Sequence, residues 1–178
     1  FIAAGTTVTD NVSKGEFCIG RSRNEIKHSV LNMYLQNFSS PLKYFGTDGI
    51  RGVFGEKLTL ELCQEVGFSL AKMTKNAKVL IGRDTRESGE KILQSVAKGL
   101  AQNGAEIFDA GIISTAGVAF LTRFFEFDYG VMITASHNPS EYNGIKIFNK
   151  NGYKLNENQE IMLEKGLKLQ KSNKKPQI

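Results

Sequence analysis

The apolar positions of the chain change period several times, and each change predicts an element. Over residues 1–20 they come singly. Ile2, Val8, Val12, Phe17 and Ile19 are separated by Gly5, Asp10 with Asn11, and Lys14 with Gly15, which are turn formers between short β-like steps. Residues 21–35 carry Ile26, Val30, Leu31 and Tyr34 and predict a weak helix, and 37–41 read as a linker in which Ser and Pro interrupt the period. Beyond that point the pattern strengthens. Leu62, Val66, Leu70 and Met73 recur at helical spacing after Thr59, a good N-cap. Residues 78–82 form a short apolar run suited to a buried strand. Ile92, Leu93, Val96 and Leu100 make the next helix, which Asn103 and Gly104 stop. A second strand is predicted at 106–109, a third helix at 116–125 and a third strand at 129–134. Residues 144–148 and 153–155, joined through Asn151 and Gly152, predict a hairpin. Asn156 caps a last helix through Ile161, Leu163 and Leu167.

Strands alternating with helices predict an α/β fold, with a mixed, mostly parallel sheet sandwiched by helices. The expected organisation is a short β segment at 1–23, helix and linker at 24–41, the α/β domain at 42–168 and a basic tail at 169–178.

Composition narrows the class. The chain has 178 residues, 40% of them hydrophobic and 23% charged, a globular balance rather than a disordered one. No run approaches the ~20 apolar residues of a membrane span, and no basic segment followed by an apolar one opens the chain as a secretory signal would. The net charge of +5 has its excess at the end, in Lys165, Lys168, Lys171, Lys174 and Lys175. These read as a solvated helix end, so neither a nucleic-acid nor a membrane partner is expected. Cys18 and Cys63 have no CxxC spacing and read as packing residues of a reduced, cytoplasmic protein.

In open α/β sheets ligands bind outside the carboxyl ends of the strands. Polar segments fall there: Arg83 to Gly89, Ser114 with Thr115, and Thr134 to Pro139. A fourth, Gly46 to Gly52, has three glycines for close backbone approach, and its Arg51 has the fork geometry for a phosphate. It matches neither GxGxxG nor GxxxxGK[ST], and a plain tight turn explains it equally. Arg83, Asp84, Arg86 and Glu87 read as an ion-pair network beside a helix N-terminus. Ser136 next to His137 suggests a hydrolase, but adjacent residues rarely pair as nucleophile and base, and there is no GxSxG elbow. A serine here can also carry a phosphoryl group, with Lys146 as a cation or acid/base. On residue chemistry alone, phosphoryl transfer and plain ligand binding both stand.

Taken together and in order, YFGTDGIRG at 44–52, GRDTR at 82–86, TASHNP at 134–139 and YNGIK at 142–146 resemble the α-D-phosphohexomutases. The GTDGIRG form and the run STAGVA at 114–119 are most similar to the bacterial phosphoglucosamine mutase branch. The resemblance implies that Ser136 is a phosphoserine that exchanges its phosphoryl group with a hexosamine phosphate. Glucosamine 6-phosphate would become glucosamine 1-phosphate through a 1,6-bisphosphate, and hexosamine or glucose 1,6-bisphosphate would act as activator. It further implies that Arg51 and Lys146 contact the phosphoserine and assist proton transfer, and that His137 and Asn138 shape the loop. Thr47, Asp48, Gly49 and Arg83 would support the phosphate and the loop, and Mg²⁺ would sit on the phosphoserine oxygen. The family has four domains, and the resemblance covers the first. The DxDxxR metal loop of the second is absent, so weak metal binding and no appreciable mutase turnover are expected of these residues without the missing domains.

The opening residues, Ile2 to Val12 followed by Gly20 and Arg21, resemble a different family: the C-terminal end of bifunctional UDP-N-acetylglucosamine pyrophosphorylase/glucosamine-1-phosphate N-acetyltransferases, which closes a left-handed β-helix. Ala4 and Arg21 match its acetyl-CoA contacts. One partial coil lacks the stacked repeats a solenoid needs, so no acetyl transfer is expected. Mutases of the first family begin just before YFGTDG, here at Leu42 and Lys43. The expectation is an acetyltransferase end joined to a mutase start, with truncation at Phe1 and Ile178.

Overall fold

A computed structural model describes residues 17–20, 24–27 and 42–167. The chain divides into two units, Phe1–Pro41 and Leu42–Ile178.

In the first unit, β1 (Phe17–Gly20) pairs antiparallel with β2 (Asn24–Lys27), with Phe17 opposite Lys27 and Gly20 opposite Asn24. The helix expected from residue 21 is therefore corrected at Asn24–Lys27, which is extended. Ile26 is the only apolar residue of those four, too little for a helical stripe, and the ladder to β1 takes the backbone groups instead. The rest of that predicted helix, the β-helix-like residues 1–16, and Ala4 and Arg21 lie outside the described residues.

The second unit is an α/β layer. Its strands are β3 (Phe45–Gly46), β4 (Gly49–Val53), β5 (Lys78–Arg83), β6 (Glu106–Ile112), β7 (Tyr129–Ile133) and β8 (Tyr142–Asn149). Its helices are α1 (Leu60–Met73), α2 (Gly89–Ala101), α3 (Thr115–Phe124) and α4 (Glu157–Lys165). The sheet order is β3-β4-β8-β7-β5-β6. β6, β5 and β7 run parallel, each reached by a helical crossover, whereas β8 is antiparallel to both β7 and β4. The sheet thus has a parallel half and an antiparallel half. The antiparallel step follows from chain length: residues 134–141 join β7 to β8 without a helix, too few for a crossover between parallel strands.

Alternation along the strands fills both faces. Val79 and Ile81 of β5, Val131 and Ile133 of β7, and Ile145 and Ile147 of β8 pack on one face with Leu62, Val66 and Leu70 of α1, Ile92, Val96 and Leu100 of α2, and Leu163 of α4. Leu80, Met132 and Phe148 meet Val118 of α3 on the other. Helices α1 and α2 come unusually close. A Cβ on Gly67 would lie 2.1 Å from the Val96 carbonyl oxygen, and one on Gly99 only 1.9 Å from that of Gln64.

The expected caps are where the sequence puts them. Thr59 Oγ1 accepts from Leu62 N at 3.2 Å, and Asn156 with Gln159 closes a capping box on α4; Ser114, not expected as a cap, also accepts, from Gly117 N at 3.1 Å. Several boundaries differ from expectation, that of β8 among them, which starts at Tyr142 rather than at 144. β6 runs to Ile112 because a register shift between Ile81 and Arg83 carries the ladder past Gly82. The expected strand at 153–155 reduces to one bridge between Phe148 and Lys154. Helix α4 ends at Lys165, with Gly166 packed on Ser69, so that Leu167 lies beyond it.

Candidate functional site

Strands β7 and β5 are parallel neighbours, so the segments leaving them emerge side by side. Asp84 N donates to Ile133 O at 3.0 Å, the last ladder step before both chains turn away. Thr134 N still reaches Gly144 O at 3.0 Å, and the loop 135–141 then closes back to β8. Within it Ala135 is buried, while Ser136 and His137 are exposed. Asn138 N and Nδ2 both donate to Ala135 O, at 3.1 and 2.8 Å, and Tyr142 N donates to Pro139 O at 3.1 Å. Ser136 has φ 57°, the left-handed region that a non-glycine residue occupies only when its surroundings hold it there.

Those surroundings come from GRDTR. Thr134 Oγ1 donates to Asp84 Oδ2 at 2.6 Å and accepts from Ser136 N at 2.9 Å. Arg86 Nε donates to the same Asp84 oxygen at 3.2 Å. Its two terminal nitrogens donate to the carbonyls of Pro139, Tyr142, Ser136 and Asn138 at 2.6 to 2.9 Å. Arg83, expected to support the loop, turns instead onto Glu90 of α2 at 2.9 Å, an ion pair beside that helix's first turn. Asn143 ties the same helix to β8: its Nδ2 donates to Ser88 Oγ at 2.9 Å, and Ser88, itself in helical conformation, makes no side-chain cap on α2. An open cavity of about 660 Å³ lies between the two segments, lined by Ser136, Asn138, Glu141, Asp84, Arg86 and Glu87 among others.

The GTDGIRG residues occupy the antiparallel half. Gly49 has φ 91°, and a Cβ there would lie 2.4 Å from Ile145 O, so the turn at Thr47 and Asp48 requires glycine. Arg51 sits opposite Gly144 on β8, and Gly144 opposite Thr134, a row across three strands that ends two residues before Ser136. Lys146 lies one pleat further in, opposite Met132. Arg51 and Lys146 share the carboxylate of Asp48, at 3.4 and 3.5 Å, and that side chain is 51% exposed. Arg51 Nε is buried with no hydrogen-bond partner. Lys154 Nζ donates to Thr47 O at 2.7 Å and pairs with Glu160 at 3.0 Å. The Glu164 carboxylate accepts from the backbone N–H groups of Lys43, Tyr44 and Phe45, so α4 anchors the entry to the segment.

The structure therefore brings Ser136 and Asn138 together with the GRDTR segment, and Arg51, Lys146, Asp48, Gly49 and Thr47 together around β4. The row through Gly144 connects the two groups, and Arg51 and Lys146 do not line the cavity. Asp84, Arg86 and Thr134 were outside the candidate set. The available signal was that GRDTR and TASHNP both leave the carboxyl ends of buried strands. Among the described residues no group of three His, Cys, Asp or Glu side chains is placed to hold a metal ion.

Residues 42–174 match the family described as phosphoglucomutase/phosphomannomutase, alpha/beta/alpha domain I. The phosphoglucosamine mutase of Clostridioides difficile (strain 630) is 50% identical over 126 residues, covering 68% of this chain and 28% of its own length. That of Thermotoga neapolitana is 51% identical over 124 residues, covering 70% of this chain and 28% of its own length. The chain thus spans little more than a quarter of these relatives. Among solved structures, a phosphoglucomutase/phosphomannomutase family protein from Burkholderia thailandensis superposes with a TM-score of 0.60 at 28% identity, covering 69% of this chain and 29% of that one.

Proposed function

The chain belongs to the phosphoglucomutase/phosphomannomutase family, whose alpha/beta/alpha domain I it carries, and on that premise we propose that Ser136 is the phosphoryl acceptor of a phosphohexomutase acting on a hexosamine phosphate. The observation that carries this reading is the conformation of Ser136: an exposed serine held at φ 57° in a loop whose carbonyls at Ser136, Asn138 and Pro139 accept from Arg86. The likeness to phosphoglucosamine mutases supports glucosamine 6-phosphate and glucosamine 1-phosphate as the pair interconverted.

In the proposed cycle, Ser136 Oγ attacks one phosphorus of a hexose 1,6-bisphosphate. An Oγ–P bond forms, the P–O bond to the sugar breaks, the serine proton leaves to a base and the sugar oxygen takes a proton. Phosphoserine then gives its phosphoryl group to the free hydroxyl of a hexosamine monophosphate; the bisphosphate so formed turns over in the site and returns its other phosphoryl group to Ser136, which releases the isomeric monophosphate. Such transfers need positioning and charge neutralisation more than covalent help. Arg51 and Lys146 are the cations proposed for this, with Lys146 also moving the proton. They are held by one half-exposed carboxylate, which an arriving phosphate can displace. His137 and Asn138 shape the loop, Asn138 through its two bonds to Ala135 O.

The donor set does not fit a Mg²⁺ ion. That ion takes six oxygens in near-octahedral order, whereas Asp84 is engaged by Arg86 and Thr134, and Asp48 by Arg51 and Lys146. Phosphoserine would contribute one oxygen, and the remaining ligands would come from outside the described residues. No helix among the described residues is long and apolar enough to cross a membrane.

The test is phosphate uptake. The chain is incubated with glucose or glucosamine 1,6-bisphosphate and the family's remaining domains, then analysed by intact mass and peptide mapping. Phosphate on Ser136, lost in Ser136→Ala, is expected. Sugar-phosphate binding without phosphate on Ser136 would overturn the reading in favour of a non-catalytic binding module.

A further inference from the structure

A guanidinium has five N–H bonds to give, and Arg86, whose side chain is 12% exposed, has an acceptor for each. One goes to Asp84. The other four go to main-chain carbonyls of the loop between β7 and β8 and of the first residue of β8: Ser136, Asn138, Pro139 and Tyr142. No donor is left for a ligand, so the nearest arginine to the serine loop is not a phosphate binder. We infer that Arg86 is the positioning residue for Ser136, a clamp that holds the loop in the one conformation that keeps this serine in the left-handed region.

Both sides of the Ser136 residue return to Arg86. Its carbonyl accepts from Arg86 directly at 2.9 Å. Its amide donates to Thr134 Oγ1, which donates to Asp84 Oδ2, which accepts from Arg86 Nε. Asp84 Oδ1 also accepts from the Arg86 amide at 3.0 Å, which fixes the turn that carries the clamp. Charge alone does not reproduce this. Lysine offers three donors from one point and cannot fork between four carbonyls and a carboxylate. That the clamped serine is a phosphoryl acceptor rests on the function proposed above; the clamp itself does not.

The test compares the 178-residue chain with Arg86→Ala and Arg86→Lys by backbone amide hydrogen exchange, and by phosphate uptake with the remaining domains present. In Arg86→Ala the amides of Ser136 and Asn138 are expected to exchange about tenfold faster or more, since several bonds are lost together. Those of Leu80 and Val131, at the centre of the sheet, should stay within about twofold. The rate constant for phosphate uptake should fall about tenfold or more, with the half-saturating bisphosphate concentration little changed, and Arg86→Lys should restore neither readout. Unchanged loop amides, equal acceleration across the whole unit, or full rescue by lysine would overturn the clamp. If Arg86→Ala does not fold, Arg86→Lys decides on the same amides. Lack of phosphate on the parent Ser136 would refute the proposed function alone, because the exchange result still decides the clamp.

Discussion

The row from Arg51 through Gly144 to Thr134 can be broken by one methyl group. A Cβ on Gly144 would lie 2.7 Å from Ile50 O, 2.7 Å from Thr134 O and 2.8 Å from Arg51 Cγ. Ordinary contact begins at 3.4 Å, so the two backbone contacts are each short by about 0.7 Å. They come from opposite sides: Ile50 is on β4 and Thr134 follows β7, while Gly144 is on β8 between them. A shift that relieves one tightens the other, so the sheet must widen or the strand must bow. Overpacking of this kind costs about 1–3 kcal/mol, and a clash against backbone on both sides belongs at the upper end. Replacing glycine in a strand interior returns roughly 0.5–1 kcal/mol. Gly144→Ala should therefore lose about 2 kcal/mol net, or ~8 °C at close to 4 °C per kcal/mol for a unit of this size. Urea and thermal unfolding followed by far-UV circular dichroism measure it. Gly46→Ala is the control, because its Cβ would meet only Gly49 O at 3.7 Å. Displacing Arg51 should also slow phosphate uptake on Ser136. A Gly144→Ala chain as stable as the parent, or less affected than Gly46→Ala, would refute the reasoning.

Two further outcomes test the packing. Gly99→Ala should destabilise the chain even though alanine gains about 1 kcal/mol in a helix, because its Cβ would lie 1.9 Å from Gln64 O and 2.7 Å from Phe68 N, forcing α1 and α2 apart; a rise in the urea midpoint would contradict this. Burial pushes the Cys63 thiol from 9.0 up to about 12, so its protonated form is favoured by folding: that contribution is complete below pH 9 and is lost between pH 9 and 12 as the unfolded thiol ionises, at about 1.4 kcal/mol per pH unit. Cys63→Ala should flatten this alkaline slope in urea midpoints, and an unchanged slope would rule the thiol out as its source.

Much of the second unit was legible because local signals and burial agree in it. Thr59 and Asn156 are capping residues placed just before apolar stripes, and each caps in the structure. The buried strands β5 and β7 are continuous apolar runs, which few other elements of that length explain. The misses depend on partners outside their own segment, near ones as well as distant ones. The extra residues of β6 depend on a register shift against β5, in which three steps of β6 match two of β5. Extended Asn24–Lys27 depends on a ladder to β1 that no short apolar pattern announces. Arg86 depends most of all on distance, since its loop acceptors lie 50 to 56 residues further along the chain. An Arg beside Asp84 and Glu87 reads as a surface ion-pair network until the loop that covers it is known.

The cations of the site differ in what they can still do, and that difference follows from their partners. Arg86 is mostly buried, and its acceptors are carbonyls fixed by the sheet on either side of them, so releasing one leaves a polar group unpaired. Arg51 and Lys146 share one half-exposed carboxylate at 3.4 and 3.5 Å, a kind of contact that water and salt weaken. Arg51 also keeps a buried Nε–H with no acceptor, a donor that gains from any oxygen brought within reach. A phosphate arriving near β4 and β8 therefore competes with a loosely held Asp48, whereas one arriving at Arg86 would have to displace four carbonyls. The antiparallel β7–β8 step separates the two tasks. It turns the serine loop over GRDTR, where its backbone is held, and leaves the exchangeable cations on the strands beside it, where a transferred charge can be met.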